Sequence, residues 1–150
     1  MSPLKIYNSL KKYPLSKFLF MKALCSKAPY FSSIKPQLLN YEKGKIEIKL
    51  HKRKPVLNHI GTVHAIAMCN LAELCAGLVI DSVLPKNMRW IPKGMNVEYL
   101  QKANTDLIGK CELSEESIVL GDNQVLVNVF DTNAEQVFKA VINMYISEKK

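Results

Sequence analysis

The stretch Lys45–Leu50, KIEIKL, alternates strictly: Ile46, Ile48 and Leu50 fall on one side and charged residues on the other, the period-two signature of a half-buried strand. After the polar, turn-like HKRKPVLNHIG the period changes. Met68, Leu71, Cys75 and Leu78 recur at helical spacing, with Ala72 and Val79 widening the stripe, which predicts a helix from about Val63 to Ile80 capped by Thr62. Pro85 and Pro92-Lys93-Gly94 read as breaks. Strands are then predicted at Met95–Leu100, Leu107–Leu113, Val125–Phe130 and Val137–Ile146, separated by turn residues such as Gly121-Asp122-Asn123 and Asp131-Thr132-Asn133-Ala134. In the last of them Phe138, Ala140, Ile142, Met144 and Ile146 share one face. Short connections favour antiparallel pairing. The expected class is α+β, a long apolar helix wrapped by a curved antiparallel sheet of five or six strands. One sheet layer leaves unpaired backbone at its edges, so a dimer is expected.

Ahead of this core, residues 7 to 25 place Leu10, Tyr13, Pro14, Phe18, Met21 and Leu24 near one side of a helical pattern, with lysines elsewhere. Pro14 divides it into two short pieces. The organisation expected is a basic N-terminal helical segment, residues 1–39, packed on a domain spanning residues 40–150. Charge sharpens this division. The 150-residue chain has a net charge of +8 and is 48% apolar, enough for a globular core. Residues 1 to 41 hold seven lysines and no acidic residue, leaving 14 basic and 13 acidic residues for the remainder. Such a segment attracts nucleic acid, anionic lipid or a phosphorylated small molecule. Zinc-finger, glycine-rich-loop and RNA-binding aromatic signatures are missing, so nucleic acid is not an expected partner, whereas peripheral membrane contact stays open. The longest nearly apolar segment, Ala65 to Ile80, is interrupted by Asn70 and Glu73, which argues against a membrane span. Cys25, Cys69, Cys75 and Cys111 lack framework or paired spacing; reduced, buried thiols in a cytoplasmic protein are the plain expectation.

Candidate chemistry centres on Glu73, a carboxylate in the middle of the apolar helix. It shares a face with Asn70, three residues before it, while Gly77, four beyond, leaves room for an approaching group. A carboxylate in such a setting is costly unless paired, and suits a general base or nucleophile. The alternative is a structural Glu73 paired with Lys86, Arg89 or an N-terminal lysine. Upstream, Asn58-His59-Ile60-Gly61-Thr62-Val63-His64 feeds the helix N-terminus, where unpaired N–H groups can receive a developing oxyanion. Gly61 permits close backbone approach, Asn58 offers an amide, and His59 and His64 are placed either to orient a substrate or to satisfy loop carbonyls. His64 and Glu73 are separated by about 13 Å of helical rise, so His59, His64 and Glu73 do not form a zinc site within one helix.

These residues carry a family resemblance. NHIGTVHAIAMCNLAEL, followed by MNVEYLQKA, resembles the hotdog-fold acyl-CoA thioesterase superfamily, and within it the thioesterase-like DUF4442 group. It is similar to the pattern Asn, two residues, Gly-Thr, one residue, His-Gly-Gly, then Leu-Ala-Asp or Leu-Ala-Glu, over roughly residues 40 to 148. The resemblance implies a hotdog fold and a site between subunits of a homodimer or a dimer of dimers. In that site Asn58 holds substrate or water, Gly61 and His64 occupy the loop positions, Ala65 supplies an oxyanion-binding N–H, and Glu73 acts as general base or nucleophile. The implied reaction is hydrolysis of an acyl-CoA or related acyl thioester, with coenzyme A as part of the substrate rather than a cofactor. Arg89, Lys93, Lys86 and Arg53 are candidates for its phosphates, and Met68, Tyr99 or the N-terminal segment for the acyl tunnel. The chain departs from the pattern at Ala65-Ile66, where the family has Gly-Gly. Ala65 still donates, but Ile66 narrows the space, so a non-catalytic hotdog protein binding an acyl chain, acyl-CoA or lipid is the alternative.

Overall fold

The structure, a computed structural model, describes residues 2–149. Two helices come first, α1 (Pro3–Leu10) and α2 (Ser16–Lys27), then a 3-10 segment, Pro29–Ile34. Strands β1 (Gln37–Glu42) and β2 (Lys45–Leu50) follow, then the long helix α3 (Ala65–Val83) and strands β3 (Met88–Tyr99), β4 (Leu107–Glu112), β5 (Gly121–Phe130) and β6 (Gln136–Glu148). All six strands join one antiparallel sheet in the order β1-β2-β4-β5-β6-β3, with α3 packed on β2, β4, β5 and β6. This is the hotdog arrangement expected from the sequence.

Alternation explains the core. Ile46, Ile48 and Leu50 of β2, Val125, Val127 and Val129 of β5, and Phe138, Ala140, Ile142, Met144 and Ile146 of β6 are buried against Leu71, Cys75 and Val79 of α3. The helix sits so close to β4 that a Cβ on Gly109 would fall 2.9 Å from the Cys75 sulfur and 3.1 Å from Leu71 Cγ. Tyr41 of β1 is fully buried, donates its hydroxyl to the Leu78 carbonyl at 2.8 Å, and stacks with Tyr7 and Phe20 of the N-terminal helices. Those helices thereby close one end of the core. All four cysteines are free; Cys75 and Cys111 are buried, whereas Cys25 and Cys69 are only half-buried.

Several boundaries differ from the sequence reading, each for a local reason. Helix α3 begins at Ala65 and is capped by His64, whose Nδ1 accepts the Ile66 N–H at 3.0 Å. Thr62 is not the cap because the preceding loop claims it. The helix also runs past Ile80 to Val83. Strand β3 begins at Met88 rather than Met95 and carries Pro92-Lys93-Gly94 through a register shift between Pro92 and Gly94. Proline is tolerated there because β3 is an edge strand, where a missing N–H need not break a ladder. Likewise Gly121 to Asn123 belong to β5 rather than to a turn.

Candidate functional site

The loop before α3 is built by Asn58. Its Oδ1 accepts the Ile60 and Thr62 N–H groups, both at 3.1 Å, and its Nδ2 donates to Thr62 Oγ1 at 2.7 Å. Gly61 makes the turn possible with φ +79°, a left-handed backbone that side chains disfavour. Two further bonds fix where the helix starts: Val63 N–H to the Ala103 carbonyl at 2.9 Å, and His64 N–H to the Val56 carbonyl at 2.8 Å. Because His64 Nδ1 accepts a hydrogen bond, the neutral ring carries its proton on Nε2. That bond uses the Ile66 N–H. The Ala65 N–H, at the first helical position, has no hydrogen-bond partner among the described residues, so the positive end of the helix dipole presents one free donor. The Ile66 side chain is 55% exposed and His59 is exposed.

Further along α3, Glu73 is half-buried and forms no hydrogen bond or ion pair with any described residue. It borders a hollow of about 200 Å³. Gly77 and Asp81 continue the same helical stripe at spacings of four, Leu24 and Phe31 of the N-terminal segment form one wall, and Trp90 and Pro92 of β3 form another. Gly77 lets Trp90 lie close to α3, since a Cβ there would meet the indole ring at 3.1 Å. Trp90 donates Nε1–H to Asp81 Oδ1 at 2.9 Å. Burial pushes the Asp81 carboxyl above its usual range, with the indole N–H and Lys149 pulling the other way. Of two carboxylates on one stripe, Asp81 is engaged and Glu73 is not.

Between Glu73 and the helix start lies a second hollow of about 220 Å³, bordered by His64, Ile66, Ala67 and Asn70 and by Tyr30 and Ser33 of the 3-10 segment. Asn70 is 5% exposed; its Nδ2 donates to Ser33 Oγ at 3.0 Å, while its Oδ1 has no partner among the described residues. Within one chain the loop and Glu73 do not meet, because Ala65 and Glu73 are separated by about 12 Å of helical rise.

The four basic candidates are dispersed. Arg53 donates Nη2 to the Ser33 carbonyl, pinning the 3-10 segment. Arg89 is exposed and donates to Ser147 Oγ at 3.2 Å. Lys93 pairs with Asp122 at 2.9 Å over the Tyr145 ring. Lys86, exposed, lies beyond the C-terminal end of α3. Met68 is buried, and Tyr99 stacks on Phe138 with its hydroxyl 3.5 Å from Cys69 Sγ; neither borders the Glu73 hollow. Sequence reasoning missed Trp90 and Asp81 as parts of this wall. The spacing Glu73-Gly77-Asp81 was a usable signal for the second; for Trp90, the supposed break at Pro92 hid the strand that carries it.

Comparison with known proteins shows the family and the fold. The family model described as Domain of unknown function (DUF4442) matches residues 16–146. A crystal structure described as genomics APC5556 is similar over 98% of both chains, with 40% identity and a TM-score of 0.86. PA5026 from Pseudomonas aeruginosa, described as a probable thioesterase, is similar with 18% identity and a TM-score of 0.77, over 83% of this chain and 91% of its own. Thioesterase HI1161 from Haemophilus influenzae is similar with 15% identity and a TM-score of 0.72, over 93% and 94%. The last two show the shared fold. No curated protein matches the chain in sequence.

Proposed function

The chain belongs to the DUF4442 family, and on that premise we propose that it is a dimeric acyl-CoA thioesterase with Glu73 as its general base or nucleophile. The observation that carries this reading is Glu73 itself: a half-buried carboxylate without hydrogen bond or ion pair among the described residues, beside a hollow walled mostly by apolar side chains. Burial of a carboxylate favours a partner, and Asp81 on the same helix has one, whereas the Glu73 carboxylate is left open to an incoming group.

The second component comes from a second copy. Strand β3 is a 12-residue edge strand that among the described residues pairs only with β6, leaving its other side free for the β3 of another protomer. In the dimer proposed, Glu73 of one protomer faces the loop from Asn58 to Ala65 of its partner. The thioester carbonyl oxygen accepts a hydrogen bond from the free Ala65 N–H, which strengthens as the oxygen gains charge. Glu73 either takes a proton from water as that water attacks the carbonyl carbon, or attacks the carbon directly to form an anhydride that water then hydrolyses. In both routes the C–S bond breaks and the leaving thiolate takes up a proton from the water consumed. Asn58, Gly61 and His64 hold the donor in place through the loop and cap bonds. Arg89, Lys93 and Lys86 supply positive charge for the nucleotide phosphates, and Arg53 supports the site by holding Ser33.

A screen of short, long and aromatic acyl-CoA substrates tests this. Hydrolysis of at least one is expected, falling at least a hundredfold in Glu73→Gln with the thermal melt unchanged. Equal rates for variant and parent remove Glu73 from the mechanism. Saturable acyl-CoA binding without turnover across the whole set points instead to a binding protein; in that case Ile66→Gly asks whether the departure from Gly-Gly is the cause.

A further inference from the structure

Helix α2 has two apolar faces, and the fold uses only one. Phe20 and Met21 are buried and Leu24 packs on the core, whereas Leu15, Phe18 and Leu19 point outward, Leu15 and Phe18 being 74% and 63% exposed. Tyr13, just before the helix, is 51% exposed. Leu15 reaches this position through a left-handed backbone, φ 64°, directly after Pro14, a conformation that a branched side chain rarely takes. Lysines flank the patch in the chain: Lys11 and Lys12 precede it, over the Tyr7 and Tyr13 rings, and the exposed Lys17 and Lys22 on α2 border the same groove as Leu15 and Phe18. Beside it a groove of about 820 Å³ opens between α2 and β1, lined by Leu15, Phe18 and Met21 together with Lys22 and Lys35. Strand β1 is the opposite edge of the sheet from β3, so this surface is separate from the edge assigned to dimer formation.

From this surface we infer that residues 11–22 dock the protein on an anionic lipid bilayer. The Leu15, Phe18 and Leu19 side chains enter the headgroup and acyl boundary, and Lys11, Lys12 and Lys22 lie against the lipid phosphates. Three large exposed apolar side chains at helical spacing, Leu15, Phe18 and Leu19, beside a groove that two of them line, mark an interaction surface. Charge selects what covers it. No acidic residue occurs before Glu42, so a twofold contact between two such patches would set lysines against lysines with nothing to neutralise them. An anionic membrane satisfies the apolar and the cationic parts together, and the long lysine stems cover apolar surface while their charged ends stay in the polar layer. The inference is independent of Glu73, since it holds for a hydrolase or a binding protein alike.

Co-sedimentation of the full chain with vesicles tests it. The protein should partition onto phosphatidylcholine–phosphatidylglycerol vesicles, weakly onto phosphatidylcholine alone, and less as salt is raised. Leu15→Ser and Phe18→Ser, made singly and together, should each lower partition about tenfold or more with unchanged melting, because both side chains are exposed. Replacing Lys11, Lys12 and Lys22 by Gln should lower it about fivefold per lysine. The proposal is overturned if anionic vesicles retain nothing, or if partition responds to the lysines but not to Leu15 and Phe18, which is plain polyanion attraction. It is equally overturned if the apolar variants change the oligomeric state and leave vesicle binding as it was, for then a second copy covers the patch.

Discussion

The two sides of α3 obey different rules. On the sheet side Leu71, Cys75 and Val79 are fully buried, and the contact is tight enough that β4 needs Gly109 beneath Leu71 and Cys75. On the other side, beneath the N-terminal segment and beside β3, Asn70, Glu73, Gly77 and Asp81 border two hollows, with one amide oxygen unpaired and one carboxylate free. One helix therefore holds the fold together along one stripe and keeps polar groups available along another. The first is close-packed, where any lost volume is felt; the second tolerates empty space and unsatisfied polarity.

The largest effect should follow from breaking the packed side. Leu71→Ala is expected to destabilise the fold by about 2–5 kcal/mol, read as a lower urea midpoint with the denaturant slope unchanged. Glu73→Gln, two residues further on, should leave that midpoint within about 0.5 kcal/mol of the parent while removing at least a hundredfold of any thioester hydrolysis. If Glu73→Gln unfolds the protein as readily as Leu71→Ala, the two stripes are not distinct and Glu73 is structural.

How much of this division the sequence disclosed depends on where periodicity was interrupted. The shared face of Asn70, Glu73 and Gly77 was legible from spacing, as was the inward set of β6, because both lie in long uninterrupted elements. Strand β1 was not: a register shift between Leu38 and Asn40 breaks its alternation, so Leu38 and Tyr41 are both buried three positions apart. The front half of β3 was hidden by Pro92 and Gly94, residues that mean a turn within a sheet but are admissible on an edge. The cap was misplaced because Thr62 has the right chemistry, yet its hydroxyl and N–H are taken by Asn58. Tertiary coverage was out of reach altogether. No local pattern says that Leu24 and Phe31 will wall the Glu73 hollow, or that Ser33 will sit against Asn70.

A smaller effect distinguishes Asn70 from an ordinary buried amide. Asn70→Leu gives up the bond to Ser33 Oγ but also removes the unpartnered Oδ1, and these terms nearly offset. Stability is expected to stay within about 1 kcal/mol of the parent. A loss of about 3 kcal/mol or more would show that Asn70 belongs with the packed side. If Asn70 contributes to the site, the change appears instead as weaker acyl-CoA binding at unchanged stability.

The smallest effect concerns Asp81 and depends on pH. Burial raises its carboxyl pKa in the folded protein, so the folded state holds its proton more tightly than the unfolded chain, whose value is about 3.9. The stability linked to this proton is fully present below that value and is lost as pH rises through the folded pKa. Asp81→Asn keeps an acceptor for the Trp90 N–H but cannot ionise. The difference in urea midpoint between variant and parent should therefore shift in the variant's favour as pH climbs from below to above the ordinary carboxylate range, then level off. A difference that moves the other way would mean that the Trp90 and Lys149 contacts, rather than burial, govern the carboxylate. The polar stripe would then hold two unlike acids, one stabilised by its neighbours and one left free.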